Sequence, residues 1–394
     1  MIVLLIRRLP LLVLICILLL LGTATIHAAG PADRIIQEQA ERLPTDQVER
    51  YWNQLMKQYG DYFPTAQLPS FMELVVPGGK GFEPTAIFRG LLNYLFQEIL
   101  LNGKLIASIV ILTVLSMMLE TLQSSFEKST VSKVAYAISY MVLIVIAINS
   151  FTVAIGYAKS AISGMIHFMI AVVPLLLTML ASMGNLTTAA VFHPLIIFMI
   201  HTVGSVIYVV VFPLLFFSTV LHIVSSMSER YKVTQLANFL RTLGVGLLGF
   251  FVTVFLGVMS IQGATGAVTD GVTIRTAKYI TGNFVPVVGR MFSDASETVI
   301  GASLLVKNAV GLTGVIMIIL LCAFPAIKIL TLALIYIVSA AVMQPLGDSP
   351  ITSCLQMIGK NMMYVFAALA AVGFMFFLAI TIIITTSNVS VMMR

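Results

Sequence analysis

The stretch QGATGAVTDGVTIRTAKYITGNFVPVVGRMFSDASETVIGASLLVKNA, residues 262–309, decides how this chain is read. It lies between two strongly apolar runs, yet it is too polar for a simple membrane span and too apolar for a free loop. Four bases (Arg275, Lys278, Arg290, Lys307) and three acids (Asp270, Asp294, Glu297) sit among Gly, Ser, Thr and Ala. Lipid leaves no backbone group unpaired cheaply, so such a stretch packs against other helices or lines a wet cavity. Asp270 is placed to cap GVTIRTAKYI, with Gly282 and Asn283 as its stop, and Asp294 with Glu297 forms a second D-x-x-E start. The expectation is two short helices around a Pro/Gly bend. Two readings of that pair stay open: an amphipathic hairpin on the membrane surface, and the interrupted segments of a transporter site.

Working outward, 59% of the chain is hydrophobic and 10% is charged, with a mean hydropathy of +1.04. Soluble domains carry about 25% charged residues, so the fold class is all-α: a polytopic helical membrane protein. Residues 30–99 hold nine acids against six bases, while residues 100–394 hold fourteen bases against seven acids. The basic excess therefore belongs to the membrane part, and with no basic run or aromatic platform there is no signature of nucleic-acid binding. Cys16, Cys322 and Cys354 make no disulfide framework.

The first 29 residues place Arg7 and Arg8 before an apolar core from Leu9 to Leu21 and then small residues, the order of a cleavable signal peptide, with an uncleaved anchor as the alternative. An exported helix-rich segment, 30–98, follows. In it DQVERYWNQLMKQYG reads as a helix with a capping-box-like start at Asp46 and Glu49, and Pro84 opens a helix that runs into the membrane. Tyr51, Trp52, Tyr59, Tyr62 and Phe63 read as local packing or interfacial anchors. Membrane helices fill 99–261 and 310–394 on either side of the element at 262–309. Spans are expected near 100–119, 134–155, 164–183, 194–222, 243–261, 310–343 and 361–386, seven in all, with eight or nine left open. Pro213 interrupts the fourth, and at Pro325 and Lys328 the sixth gives way, after about Ile327, to a short or re-entrant piece ending at Met343. Alternation over seven spans puts Arg275, Lys278, Arg290 and Lys307 in cytoplasmic loops.

Gly244, Gly246, Gly249 and Gly257 in RTLGVGLLGFFVTVFLGVMSIQG allow close helix packing within or between subunits. The Walker loop, H-E-x-x-H and G-x-S-x-G are all missing, which argues against an enzyme. No catalytic, cofactor-binding or metal residue is expected. His167, His193, His201 and His222 read as helix-packing hydrogen-bond groups. The spans as drawn hold no Asp or Glu, which weakens an ion-coupled reading. Asp270, Arg275, Lys278, Arg290, Asp294, Glu297 and Lys307 remain the candidate conduit or partner contacts.

FEKSTVSKVAYAISY (126–140), FHPLIIF (192–198), ERYKVTQLA (229–237), the run from Gln262 to Phe292, CAFPAIKIL (322–330), QPLGD (344–348) and FFLAITIIITTSNVSVMMR (376–394) resemble the stage III sporulation protein AE family. The resemblance covers roughly Glu98 to the C-terminus. It implies a non-enzymatic subunit of the channel, or feeding-tube, complex of endospore-forming bacteria, in the mother-cell-derived membrane around the forespore. Implied partners are the other proteins of the stage III A operon, a secretion-type ATPase and ring-forming proteins among them, an indirect forespore-membrane partner, and the lipid bilayer. A homo-oligomer is compatible with it. The rival reading is a stand-alone secondary transporter with its site in 262–309.

Overall fold

A computed structural model describes residues 43–63, 69–75, 84–125, 130–227, 232–284, 288–346 and 349–392. The expected signal peptide lies outside them. Every element described is helical. Short helices α1 (Asp46–Tyr59), α2 (Phe71–Val75), α3 (Pro84–Leu101) and α4 (Gly103–Ser125) precede the long α5 (Thr130–Ser182). Then come α6 (Leu186–Val206), α7 (Phe212–Met227), α8 (Thr234–Phe284), α9 (Val288–Met343) and α10 (Pro350–Met392).

The helices are longer and fewer than the hydropathy pattern suggests. Five apolar stretches of 40–49 residues are long enough to cross a membrane, and α3 with α4, bent by 45°, makes a sixth crossing if the pair is one broken span. At about 1.5 Å per residue, 40–49 residues measure roughly 60–74 Å, about twice a hydrocarbon core. The expected spans 134–155 and 164–183 are one helix, α5, which continues through Pro174. Likewise α9 runs unbroken through Pro325, where a re-entrant piece was expected. Neighbouring helices compensate a proline within a packed apolar bundle, so the ring does not have to end the helix. Pro213 does leave a mark: residues Ile207–Val211 form a π-turn, in which the Phe212 N–H reaches back to the Ile207 carbonyl. That wider turn accommodates a ring with no N–H to offer and a clash with the preceding turn.

α10 buries one long stripe: Leu355, Ile358, Met362, Val365, Leu369, Val372, Phe376, Ile380 and Ile383 recur every three or four residues and are all buried, while Ser353, Gln356, Lys360 and Phe374 are exposed. It packs on α5, α7, α8 and α9. Two glycines set the closest approach to α9. A Cβ on Gly373 would lie 2.5 Å from Cys322 Sγ, and one on Gly359 would lie 2.6 Å from Ile337 Cγ1.

The expected helix at 46–59 forms, but its N-cap is Thr45, which makes no side-chain bond. The capping box proposed on Asp46 and Glu49 is therefore one residue out of register. Nor does α1 build a core of its own. Its buried face, Val48, Trp52, Leu55 and Tyr59, joins the bundle core at mid-length of α5 and α9. Tyr59 stacks on Phe324 with centroids 3.9 Å apart, Tyr94 meets the same ring edge-on at 5.0 Å, and Tyr51 meets Phe168 at 6.0 Å. Trp52 Nε1 donates to the Pro69 carbonyl at 3.1 Å. The opposite face of α1 exposes Asp46, Arg50, Asn53, Gln54 and Lys57. Ionised side chains do not lie free in hydrocarbon, so that flank of the bundle faces water or protein.

Candidate functional site

The 262–309 stretch is not a pair of short helices. Its first part is the continuation of α8, which ends at Phe284, and its second the start of α9 at Val288. Asp270 therefore lies inside a helix and does not begin one, and Asp294 and Glu297 lie within α9, past its start. Local D-x-x-E patterns suggest caps, but the apolar flanks on both sides extend each helix through them.

Asp270 caps a different helix. α5 ends at Gly184, whose φ of 90° is open to glycine at little cost. The Gly184 N–H bonds to the Ala181 carbonyl at 2.9 Å and the Asn185 N–H to the Leu180 carbonyl at 3.2 Å, a Schellman stop. Two residues later α6 begins, and Asn185 gives it no side-chain cap. The orphan N–H groups of Thr187 and Thr188 instead donate to Asp270 Oδ1 and Oδ2, at 3.2 and 2.9 Å. The carboxylate thus sits at the positive end of α6 and is 2% exposed. Gly266, one turn earlier, lets α8 come this close: a Cβ there would be 2.5 Å from Thr188 Oγ1.

Lys307 mirrors it. Fully buried, its Nζ donates to the Ile384 carbonyl at 2.9 Å and to Asn388 Oδ1 at 3.4 Å, eight and four residues before the last helical residue of α10. Gly311, one turn on, faces Ile384, and Gly263 on α8 faces Ile382 and Thr386 from the other side. The last turns of α10 are therefore held between α8 and α9. At this one end of the bundle the chain gathers Asp270, Lys307, Thr188, Asn308, Ser387 and Asn388. Thr188 Oγ1, Asn308 Oδ1 and Ser387 Oγ are buried there without hydrogen-bond partners.

Other candidates fall differently. Arg275 is exposed on α8, beyond Asp270. The side chains of Lys278, Arg290, Asp294 and Glu297 lie outside the described residues. Of the four glycines expected at a helix contact, only Gly244 meets a neighbour, Leu214 Cβ at 3.4 Å from a built Cβ; Gly246, Gly249 and Gly257 have nothing within 4 Å. Their helix is also the least enclosed, with 22% of its most apolar window buried against 44–50% in the other four. Among the described residues no three His, Cys, Asp or Glu side chains gather as metal ligands. His167 and His222 each bond through Nδ1 to the carbonyl four residues earlier, at 2.8 and 2.9 Å.

Sequence reasoning placed no acid in a span, yet Asp270 is buried in the apolar helix α8. It also missed Thr188, Asn388 and Ser387. The polar run TTSN within the last helix was the available signal: four such residues near the end of an apolar span ask for partners.

No solved structure matches this chain. The family described as Stage III sporulation protein AE (spore_III_AE) matches residues 66–387. A Bacillus subtilis (strain 168) protein named "Stage III sporulation protein AE" is 50% identical over 399 residues, covering 98% of this chain and 100% of that protein. The apolar helices, the match over most of the length and that relative agree: this multi-pass membrane chain belongs to the stage III sporulation protein AE family.

Proposed function

We propose that the chain is a non-enzymatic assembly subunit of a channel or secretion-like complex that links mother cell and forespore after engulfment. The observation that carries this reading is how its two buried charges are used. Asp270 is bound to the start of α6 and Lys307 to a backbone carbonyl of α10, so they serve as anchors that seat the α8–α9 pair on the bundle. Beyond these anchors α8 continues for fourteen residues and α9 begins nineteen residues before Lys307, roughly 20–30 Å of helix at 1.5 Å per residue. This arm carries Arg275, Lys278, Arg290, Asp294 and Glu297 and is the partner-contact element. The polar flank of α1 offers a second protein-facing side, and the open face of α8 at Gly246, Gly249 and Gly257 a third, suited to another copy of this chain. The partners are the other proteins of the same operon, a secretion-type ATPase and ring-forming proteins among them, in the mother-cell-derived membrane around the forespore.

Charge reversal at Arg275, Lys278 and Arg290 together is expected to block sporulation after engulfment with protein levels unchanged. Normal spore yield from that variant would remove the arm from the mechanism. A buried carboxylate in an apolar helix also favours the rival reading, a self-sufficient transporter. Solute movement by the purified chain alone in liposomes would establish that reading and overturn the assembly one.

A further inference from the structure

Far from the Asp270–Lys307 end, a second level of the bundle gathers charge. On α8 no Asp, Glu, Lys or Arg occurs in the 28 residues 242–269, on α9 none in the 20 residues 308–327, and on α10 none in 361–392. The charge-free runs of α8 and α10 end at one rim with Arg241 and Lys360, while Lys328 of α9 and Lys159 of α5 lie deeper in the bundle, beside the further charge-free runs 329–343 and 134–158. Three of these cations lie over tyrosine rings: Lys159 over Tyr208 at 4.2 Å, Lys328 over Tyr157 at 4.8 Å and Arg241 over Tyr364 at 5.2 Å. Tyrosines interleaved with Lys and Arg at the edge of an apolar slab mark the headgroup level of a bilayer.

One corner of this rim is built more completely than the rest. Arg241 Nη2 donates to Asn238 Oδ1 at 2.8 Å. Arginine has only donors, so Asn238 must turn its oxygen this way, and His222 Nε2 lies 3.2 Å from the same oxygen. The guanidinium's hydrogen-bond partner is thus a neutral amide oxygen, and among the described residues no carboxylate joins it. Tyr364 supports the guanidinium plane, and Lys360, one turn earlier on the same face of α10, is exposed. Among the described residues, most of the guanidinium N–H groups and the whole ammonium stay unspent.

We propose that the Arg241–Tyr364–Lys360 corner binds the phosphate of an anionic phospholipid. Asn238 and Tyr364 are positioning residues. The test is native mass spectrometry of the full chain in detergent with phosphatidylglycerol, phosphatidylcholine or glycerol 3-phosphate added. Wild type should retain phosphatidylglycerol over phosphatidylcholine. Arg241→Gln with Lys360→Gln should lose roughly fivefold per charge, about 25-fold together, whereas Lys232→Gln, an exposed base at the same end, should leave the preference intact. The single Lys360→Gln variant, at an exposed position, keeps the test open if the double variant does not fold. Equal retention of the two lipids by wild type, or an unchanged preference in both Lys360→Gln and the double variant, would overturn the site. Glycerol 3-phosphate binding as well as the lipid would assign it to soluble phosphate instead.

Discussion

Single residues in this protein act through helix ends. Asp270 satisfies two backbone N–H groups that α6 cannot satisfy itself, so Asp270→Ala should destabilise the folded chain by about 1–2 kcal/mol, the usual range for a lost cap. Asp270→Asn keeps an acceptor and should cost less. Unfolding midpoints in mixed micelles would rank the two, and equal midpoints for wild type and Asp270→Ala would contradict the cap. Tyr59 supplies a pH signature. Burial, reinforced by the nearby Glu98, pushes its hydroxyl from 10.0 up to about 12. The folded state therefore holds this proton more tightly than the unfolded one. The stability it contributes is complete below about pH 10 and falls as pH rises towards 12. Trp52 fluorescence should report loosening of α1 in that window, and Tyr59→Phe should flatten the response.

At the scale of helices, two classes of glycine predict opposite outcomes. Gly373 is pressed against Cys322, and Gly373→Ala forces a methyl into a packed α9–α10 contact, which should cost about 1–3 kcal/mol. Gly249 meets nothing within 4 Å. Gly249→Ala should leave the isolated chain unharmed or stabilise it by up to about 1 kcal/mol through helix propensity. Larger substitutions at Gly246, Gly249 and Gly257 should weaken self-association if that face meets another copy. Analytical ultracentrifugation beside thermal unfolding separates the two effects. Glycine frequency in 241–263 was legible in the sequence as a packing signal. Which glycines are in contact was not, because the Cα spacing along one helix says nothing about which neighbour lies opposite.

For the whole molecule, helix parity sets the sidedness of the arm. Seven short spans would place Arg275 in the cytoplasm. α5, α8 and α10 run in one direction and α6–α7 and α9 in the other, so the tip between α8 and α9 lies at the end where α5 gives way to α6. If α3 and α4 cross once from an exported N-terminal segment, this tip shares the exported side. Arg275→Cys and Tyr279→Cys, introduced without the native cysteines, should then react with a membrane-impermeant maleimide from outside. Labelling only after permeabilisation would reverse the assignment.

The all-α, multi-pass class was determined by sequence alone, since the hydrophobic residues fall in long continuous runs, which satisfy their backbone in lipid as helices, and not in the short alternating runs of a barrel. The family was legible too, in runs such as FHPLIIF and QPLGD. Span boundaries were not, because Pro174 and Pro325 stop an isolated helix but are tolerated where packed neighbours enclose it. Nor could sequence say what Asp270 does. Its pattern with nearby residues suggested a local cap, and only the fold brings the N-terminus of α6, more than eighty residues away in the chain, within 3 Å of its carboxylate. Contacts between distant segments are made by packing, and packing is decided by the whole bundle at once.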